Sequence, residues 1–336
     1  MIENAIPLKI AGVGYSVPDT VITNEDLTKL YDTSDEWIYT RTGIKERRIV
    51  SGNENAIDLG EKACLNALKN ANLKPDDLDM IIAASSTPIV MYSMGCQIQK
   101  RLGITKPIPA FDISAACSGL IYGLSIARGL VASGMYKNIL IVATDNNSRH
   151  LDWTDRGTSI LFGDGAGAMV VTPSDDGADD IMALDIQADG EQGNLIELHF
   201  DGDTCPLVES NEKREPKIRM NGKGVYTFVV KLLPNYVDNL IKDAGLETKD
   251  IDYMVPHQAN IRIIRAVQER IGITDDKVIT NLEYYGNTSA ASIPIALVEG
   301  VKNGSMKLGS TVLLCGFGAG MTWGGAIVHL RKGICG

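Results

Sequence analysis

No stretch of this sequence stays apolar for the length needed to cross a bilayer. The opening MIENAIPLKIAGVGY also lacks the basic segment, apolar stretch and small-residue cleavage site of a secretory leader. These absences predict a cytoplasmic protein with no membrane partner. Cysteine is sparse and scattered, at Cys64, Cys96, Cys117, Cys205, Cys315 and Cys335, with no CxxC pair, and histidine occurs only at positions 150, 199, 257 and 329. Such spacing excludes a zinc finger or a disulfide framework, and no bound metal is expected. Basic residues are outnumbered, 32 against 42, for a net charge of −10. Nucleic acid is thereby excluded as the main partner, because phosphate binding is driven by clustered Lys and Arg.

The chain is long for one hydrophobic core, at 336 residues, so two domains or a duplicated fold is expected. Self-comparison supports duplication. LKNANLKPDDLDMIIAASS (68–86) resembles LIKDAGLETKDIDYMVPHQ (240–258), placing Leu73 on Leu246 at an offset of 173 residues. At the same offset KNILIVAT (137–144) falls on STVLLCGF (310–317), two apolar runs that read as central strands. The predicted fold is therefore α/β, two similar halves of strands and amphipathic helices with mixed sheets, 1–173 and 174–336. PSDDGADD (173–180) reads as the link between them. The charged, irregular segment 199–222 reads equally as a functional lid or as a solvated insertion.

Three residues stand where chemistry collects in such folds. In PAFDISAACSGLIYGLSIARGLVASG a short strand, Ala110 to Ile113, leads through small residues into a helix that ends before Gly134, with Cys117 at its start. There the helix dipole and free N–H groups favour a thiolate nucleophile, although an isolated cysteine is more often a packing residue. His257 follows a buried strand and precedes a helix in DYMVPHQANIRIIRAVQERIG, a place from which imidazole can exchange a proton. In NLEYYGNTSAASIPIALVEGV, Asn287 reads as a helix cap or as an amide donor to a developing oxyanion. The strings FGDGAGAMVV (162–171) and CGFGAGMTWGGAIVHL (315–330) are spaced G-x-G-x-G and followed by strand-like sequence. They predict tight turns and close backbone approach, not a dinucleotide site.

Taken together, TSDEWIYTRTGIKERR, AACSGL, DWTDRGTSILFGDGAGA, VPHQANIRII, YYGNTSAAS and GFGAGMTWG resemble β-ketoacyl-acyl carrier protein synthase III in consistent order over nearly the whole chain. The resemblance implies a thiolase-like fold and a homodimer. It implies that Cys117 takes an acyl group from acyl-CoA, and that His257 and Asn287 assist decarboxylation of malonyl-acyl carrier protein, whose carbanion attacks the acyl-enzyme. Backbone N–H groups of Cys117 and Ala319 would hold the oxyanion. Trp37 and Arg156 would sandwich the CoA adenine, with Arg41 near its phosphates and Gly222, Ala259 and Asn260 along the pantetheine tunnel. Arg262 and Arg265 would dock the carrier protein. Phe162 and Phe317 would line the primer pocket, and Met91 would shape that of the partner. No cofactor is expected to be tightly bound, acyl-CoA being a substrate. Met91 and Tyr92 stand where many relatives carry an aromatic–proline pair, which leaves primer length and branching open.

Other readings stand beside this one, among them a non-catalytic carrier-binding scaffold if the three residues fail to converge. A related condensing enzyme or acyltransferase of a secondary-metabolite pathway would share most of these motifs. A thiolase would need a second cysteine, and Cys315 is one residue out of register, on the opposite strand face. A papain-like hydrolase shares the order Cys, His, Asn but none of its local sequence.

Overall fold

The computed structural model describes residues 5–87, 91–198, 207 and 216–335. In chain order its strands are β1 (Leu8–Ser16), β2 (Val21–Thr23), β3 (Glu46–Arg48), β4 (Met80–Ala84), β5 (Ala110–Ile113), β6 (Ile139–Asp145), β7 (Gly165–Pro173), β8 (Ile181–Ala188), β9 (Ile196–Leu198), β10 (Ile218–Met220), β11 (Tyr253–Pro256), β12 (Ser310–Gly318) and β13 (Thr322–Leu330). The helices are α1 (Asn24–Leu27), α2 (Asp35–Thr42), α3 (Ala56–Asn70), α4 (Met94–Arg101), α5 (Gly119–Ala132), α6 (Arg156–Ser159), α7 (Gly222–Asp243), α8 (Ile261–Ile271), α9 (Leu282–Tyr285) and α10 (Ser292–Lys302).

The continuous apolar runs form strands covered on both faces, which is why they show no polar alternation. Every residue of β4 and of β6 is buried. Period two then divides each strand between two cores. In β6, Ile139, Ile141 and Ala143 face a central cluster, whereas Leu140 and Val142 face an outer one with α3 and α4. In β12, Val312 and Leu314 face the same central cluster, and Leu313 and Cys315 face an opposite outer one with α7 and α8.

One mixed sheet runs β1-β7-β6-β4-β5 and the other β11-β12-β13-β8. In the first, β6 and β5 flank β4 in parallel; in the second, β11 and β12 are parallel, and the remaining neighbours are antiparallel. Between the sheets lie α5 and α10, whose apolar residues share the central core with strands of both. Helix, sheet, helix, sheet and helix thus form five layers, a thiolase-like α/β architecture. Leu120, Ile121 and Leu124 of α5 have no exposed surface, and burial of each contributes about 2 kcal/mol.

The 173-residue offset extends beyond the two matched strings. It carries the 3-10 turn Pro75–Asp77 onto Thr248–Asp250, and the 3-10 turn Ala116–Ser118 onto Ser289–Ala291, at the heads of α5 and α10. Each of the latter turns begins on a non-glycine residue in the left-handed region, Ala116 at φ 45° and Ser289 at φ 55°. The segment 199–222 lies largely outside the described residues; β9, just before it, pairs antiparallel with β10, near its end. Among the described residues no helix is long and apolar enough to cross a membrane.

Candidate active site

A cavity of about 400 Å³ runs from exposed residues at α2 and α8 to buried ones between the sheets. Cys117, His257, Asn287, Phe162, Phe317, Ala319, Trp37, Arg41, Gly222, Ala259, Asn260 and Arg262 all line it. Residues separated by up to 282 positions therefore meet at one place. Larger by volume, a hollow of about 1260 Å³ along α7 and β8 is lined by neither cysteine nor histidine.

Cys117 sits in the 3-10 turn that follows β5 and leads into α5, with part of its surface open to the cavity. This turn rests on the end of β12, where a side chain at Gly318 would put a Cβ 2.5 Å from the Cys117 backbone nitrogen. Only glycine allows that approach. The hydroxyls of Ser118 and Thr322, 2.8 Å apart, tie the turn to the β12–β13 hairpin, and Thr322 Oγ1 lies 3.0 Å from the carbonyl oxygens of Ala115 and Ala319. Burial pushes the Cys117 thiol up to about 12, outweighing the Ser289 hydroxyl, which donates towards its sulfur at 3.5 Å, and Asp145 adds to the rise. Placement at a helix start favours the thiolate, whereas burial of the sulfur works in the opposite direction.

His257 is 2% exposed, and burial alone lowers its imidazole to about 3, so the ring is neutral. Its backbone N–H donates to the Cys315 carbonyl at 2.8 Å, and its Nδ1 lies 2.7 Å from Ser292 Oγ on α10. Phe317 meets the ring edge to face at 5.4 Å. Asn287 is pinned by backbone bonds to Leu161 and Gly163, and its side-chain oxygen accepts the Ser289 N–H at 2.8 Å. That bond leaves the amide NH₂ as its donating end. The oxygen satisfies the first N–H of the 3-10 turn Ser289–Ala291, but neither that turn nor α10 carries a side-chain cap, so Asn287 is not a helix cap.

At the mouth, Trp37 carries the guanidinium of Arg41 at 4.1 Å and that of Arg156 at 4.3 Å from its ring centre. A ring held between two flat partners needs about 7 Å between them, twice a contact distance of about 3.5 Å. Trp37 and Arg156 are thus stacked on each other, and one must swing away before an adenine can lie between them. Arg156 itself does not line the cavity. Asn260 caps α8 by accepting the Arg262 N–H at 2.8 Å and donates to the Arg41 carbonyl at 3.1 Å, joining α8 to α2. Arg262 and Arg265 are both exposed on α8, and only Arg262 reaches the cavity. Met91 is fully exposed and lies outside this chain's cavity.

Ser86, Thr87, Ser289 and the walls from β9 and β10 (Ile196, Leu198, Ile218, Met220) also line the site, and sequence reasoning singled out none of them. Their one signal was Ser289 inside GNTSAAS, a hydroxyl among small residues at a buried helix start. Cys315 is buried in the cluster beneath α7 and α8, facing away from Cys117, which excludes a thiolase-type pair. Among the described residues, no group of His, Cys, Asp and Glu is arranged to hold a metal ion.

Comparison with known proteins agrees with this layout. The family model described as 3-oxoacyl-(acyl-carrier-protein) synthase III matches residues 111–190, and that of its C-terminal part matches 241–330. The chain is 43% identical over 326 residues to beta-ketoacyl-(acyl-carrier-protein) synthase III of Clostridium acetobutylicum, covering 97% of this chain and 99% of that one. It is 44% identical to the chloroplastic enzyme of the same name from Arabidopsis thaliana, covering 96% and 83%. Among solved structures, 3-oxoacyl-(acyl-carrier-protein) synthase III from Aquifex aeolicus superposes with a TM-score of 0.87 at 42% identity, covering 96% and 99%. A priming beta-ketosynthase from the R1128 polyketide pathway gives 0.90 at 34% identity, covering 98% of each chain. The chain belongs to the β-ketoacyl-acyl-carrier-protein synthase III family, the condensing acyltransferases that initiate fatty acid synthesis.

Proposed function

We propose that Cys117, His257 and Asn287 carry the condensation, with acyl-CoA and malonyl-acyl carrier protein as substrates. The observation behind this reading is their convergence on one cavity, a thiol beside a neutral buried imidazole and an amide whose donating end is free to face it. Sulfur attacks the acyl-CoA carbonyl, and the backbone N–H groups of Cys117 and Ala319 hold the oxyanion. CoA leaves as its thiol, taking up the proton that Cys117 gave up, so the exchange is proton-neutral. Malonyl-acyl carrier protein then loses carbon dioxide. Its thioester enolate accepts hydrogen bonds from His257 Nε2–H and the Asn287 amide; its carbon bonds to the acyl carbonyl carbon as the C–S bond to Cys117 breaks, and the released thiolate takes up a proton from solvent. In this reading Ser292, 2.7 Å from Nδ1, donates to it, so that the imidazole carries its proton on Nε2, the form needed to donate. Each such donor is worth about 3 kcal/mol in the transition state.

In this reading Trp37, Arg41, Arg156, Gly222, Ala259 and Asn260 bind CoA, whose phosphates suit Arg. Arg262 and Arg265, a basic pair on an acidic protein, dock the carrier protein. Phe162 and Phe317 shape the primer pocket, and Met91 reaches a partner subunit in a homodimer. We further assign 1–173 and 174–336 as the duplicated halves and the cytoplasm as the place of work.

Intact mass after incubation with acetyl- to octanoyl-CoA, straight and branched, tests the assignment. A gain that maps to Cys117, is absent in Cys117→Ser, and disappears on adding malonyl-acyl carrier protein as β-ketoacyl product forms is the expected result. No acyl-enzyme with any thioester would overturn the nucleophile. Transfer without decarboxylation would point to an acyltransferase of a secondary pathway.

A further inference from the structure

Strand β6 is apolar except at its end, where Asp145 stands with no exposed surface. No Lys or Arg pairs with it among the described residues. Its two oxygens differ sharply. Oδ1 accepts four hydrogen bonds, from the backbone N–H of Ser86 at 2.8 Å and of Thr87 at 3.1 Å, from Ser85 Oγ at 2.9 Å and from Thr87 Oγ1 at 3.0 Å. Oδ2 is buried without a partner. Burying a carboxylate without a cationic partner is unfavourable, and the four donors gathered on Oδ1 offset it.

What the carboxylate gathers is the turn after β4, and Ser86 and Thr87 of that turn line the cavity. Ser86 Oγ lies 3.2 Å from Ser289 Oγ, which in turn donates towards Cys117 Sγ at 3.5 Å. A continuous polar path thus joins Asp145 to the sulfur through two hydroxyls drawn from different halves of the chain. We propose that Asp145 is a positioning residue for acyl transfer: it clamps the Ser85–Thr87 turn so that Ser86 and Ser289 hold the Cys117 sulfur in the orientation from which it attacks. It touches neither substrate nor sulfur and acts only through these hydroxyls. The inference rests on Cys117 being the nucleophile.

Two substitutions separate clamp from bulk. Asn at 145 keeps one oxygen to accept the four donors and sets its NH₂ where Oδ2 has no partner, whereas Ala removes the clamp entirely. Single-turnover acylation, measured by intact mass with the acyl-CoA that loads the wild type fastest, gives the rate constant and the half-saturating concentration. Asp145→Asn is expected to stay within threefold of the wild-type rate constant. Asp145→Ala is expected to lose tenfold or more, with half-saturation within twofold, because the turn carries none of the residues assigned to CoA. Should Asp145→Ala fail to fold, Ser289→Ala cuts the last link and is expected to lose at least fivefold with the same half-saturation. A folded Asp145→Ala or Ser289→Ala that loads at the wild-type rate would overturn the proposal. So would an Asn variant as slow as the Ala one, since charge and not the clamp would then be at work. Absence of acylation in the wild type itself would instead overturn the assignment of the nucleophile.

Discussion

His257 and Asn287 each have one polar end held by a neighbour, which leaves the other as the end that the proposed condensation uses. Ser292 holds Nδ1 of the imidazole, and the Ser289 N–H holds the amide oxygen of Asn287. Ser292→Ala removes the Nδ1 partner while leaving Cys117 untouched. Condensation measured with preloaded acyl-enzyme should fall roughly ten- to a hundredfold, and loading from acyl-CoA should change little. Equal loss in both steps would show that Ser292 supports the cavity as a whole. Cys117 supplies a second prediction at this scale. Because burial raises its thiol to about 12, the thiolate fraction grows tenfold per pH unit through the neutral range. Alkylation of Cys117 by iodoacetamide should therefore rise steadily from pH 6 to 10, and a plateau near pH 8 would contradict the buried thiol. His257 remains neutral over this range, its value being lowered to about 3. Folding stability tied to that ring should be complete above about 6.5 and be lost as pH falls towards 3, because the unfolded chain takes up the proton first. A urea midpoint that rises as pH falls through this window would contradict it.

Among the elements, the two 3-10 turns at the heads of α5 and α10 form the frame of the site. They are 173 residues apart, and the fold puts them to different uses. Cys117 has Ala290 as its counterpart, His257 has Ala84, and Asn287 has Ser114. In the proposed duplication and mechanism, one half presents the nucleophile and the other the donors. The β12–β13 hairpin closes the frame by lying against the Cys117 turn at Gly318. Gly318→Ala should abolish acylation in a protein that still folds, since a Cβ 2.5 Å from the Cys117 nitrogen forces turn and hairpin apart. Intact mass with acyl-CoA, beside a urea melt, measures both effects; wild-type loading would show that the hairpin yields at little cost.

For the whole molecule, β5 is the short outer strand of its sheet, paired only with β4, and fully exposed Met91 is bonded to nothing in its own chain's cavity. A homodimer gives both a use. Sedimentation should report twice the 36.2 kDa of one chain, and Met91→Ala should shift the ratio of long to short acyl-CoA accepted without preventing acylation of Cys117. A monomer in solution would remove any role for Met91 in the primer pocket.

Much of this was legible in the sequence, for a physical reason. Hydrophobic periodicity and the 173-residue repeat express which residues must be buried together, so the strands, the order of elements and the two-sheet fold followed from them. Cys117, His257 and Asn287 stood out because each lies shortly before a helix, and the fold brings all three to one cavity. Tertiary structure alone decided the rest. Ser289 meets Cys117 across 172 residues of sequence, Asp145 gathers a turn 58 to 60 residues before it, and Arg156 crosses 119 residues to stack on Trp37. No local pattern encodes such contacts. The electrostatics of the site belong to the same class: a helix start favours the Cys117 thiolate, and burial opposes it, because desolvation depends on everything packed around the sulfur.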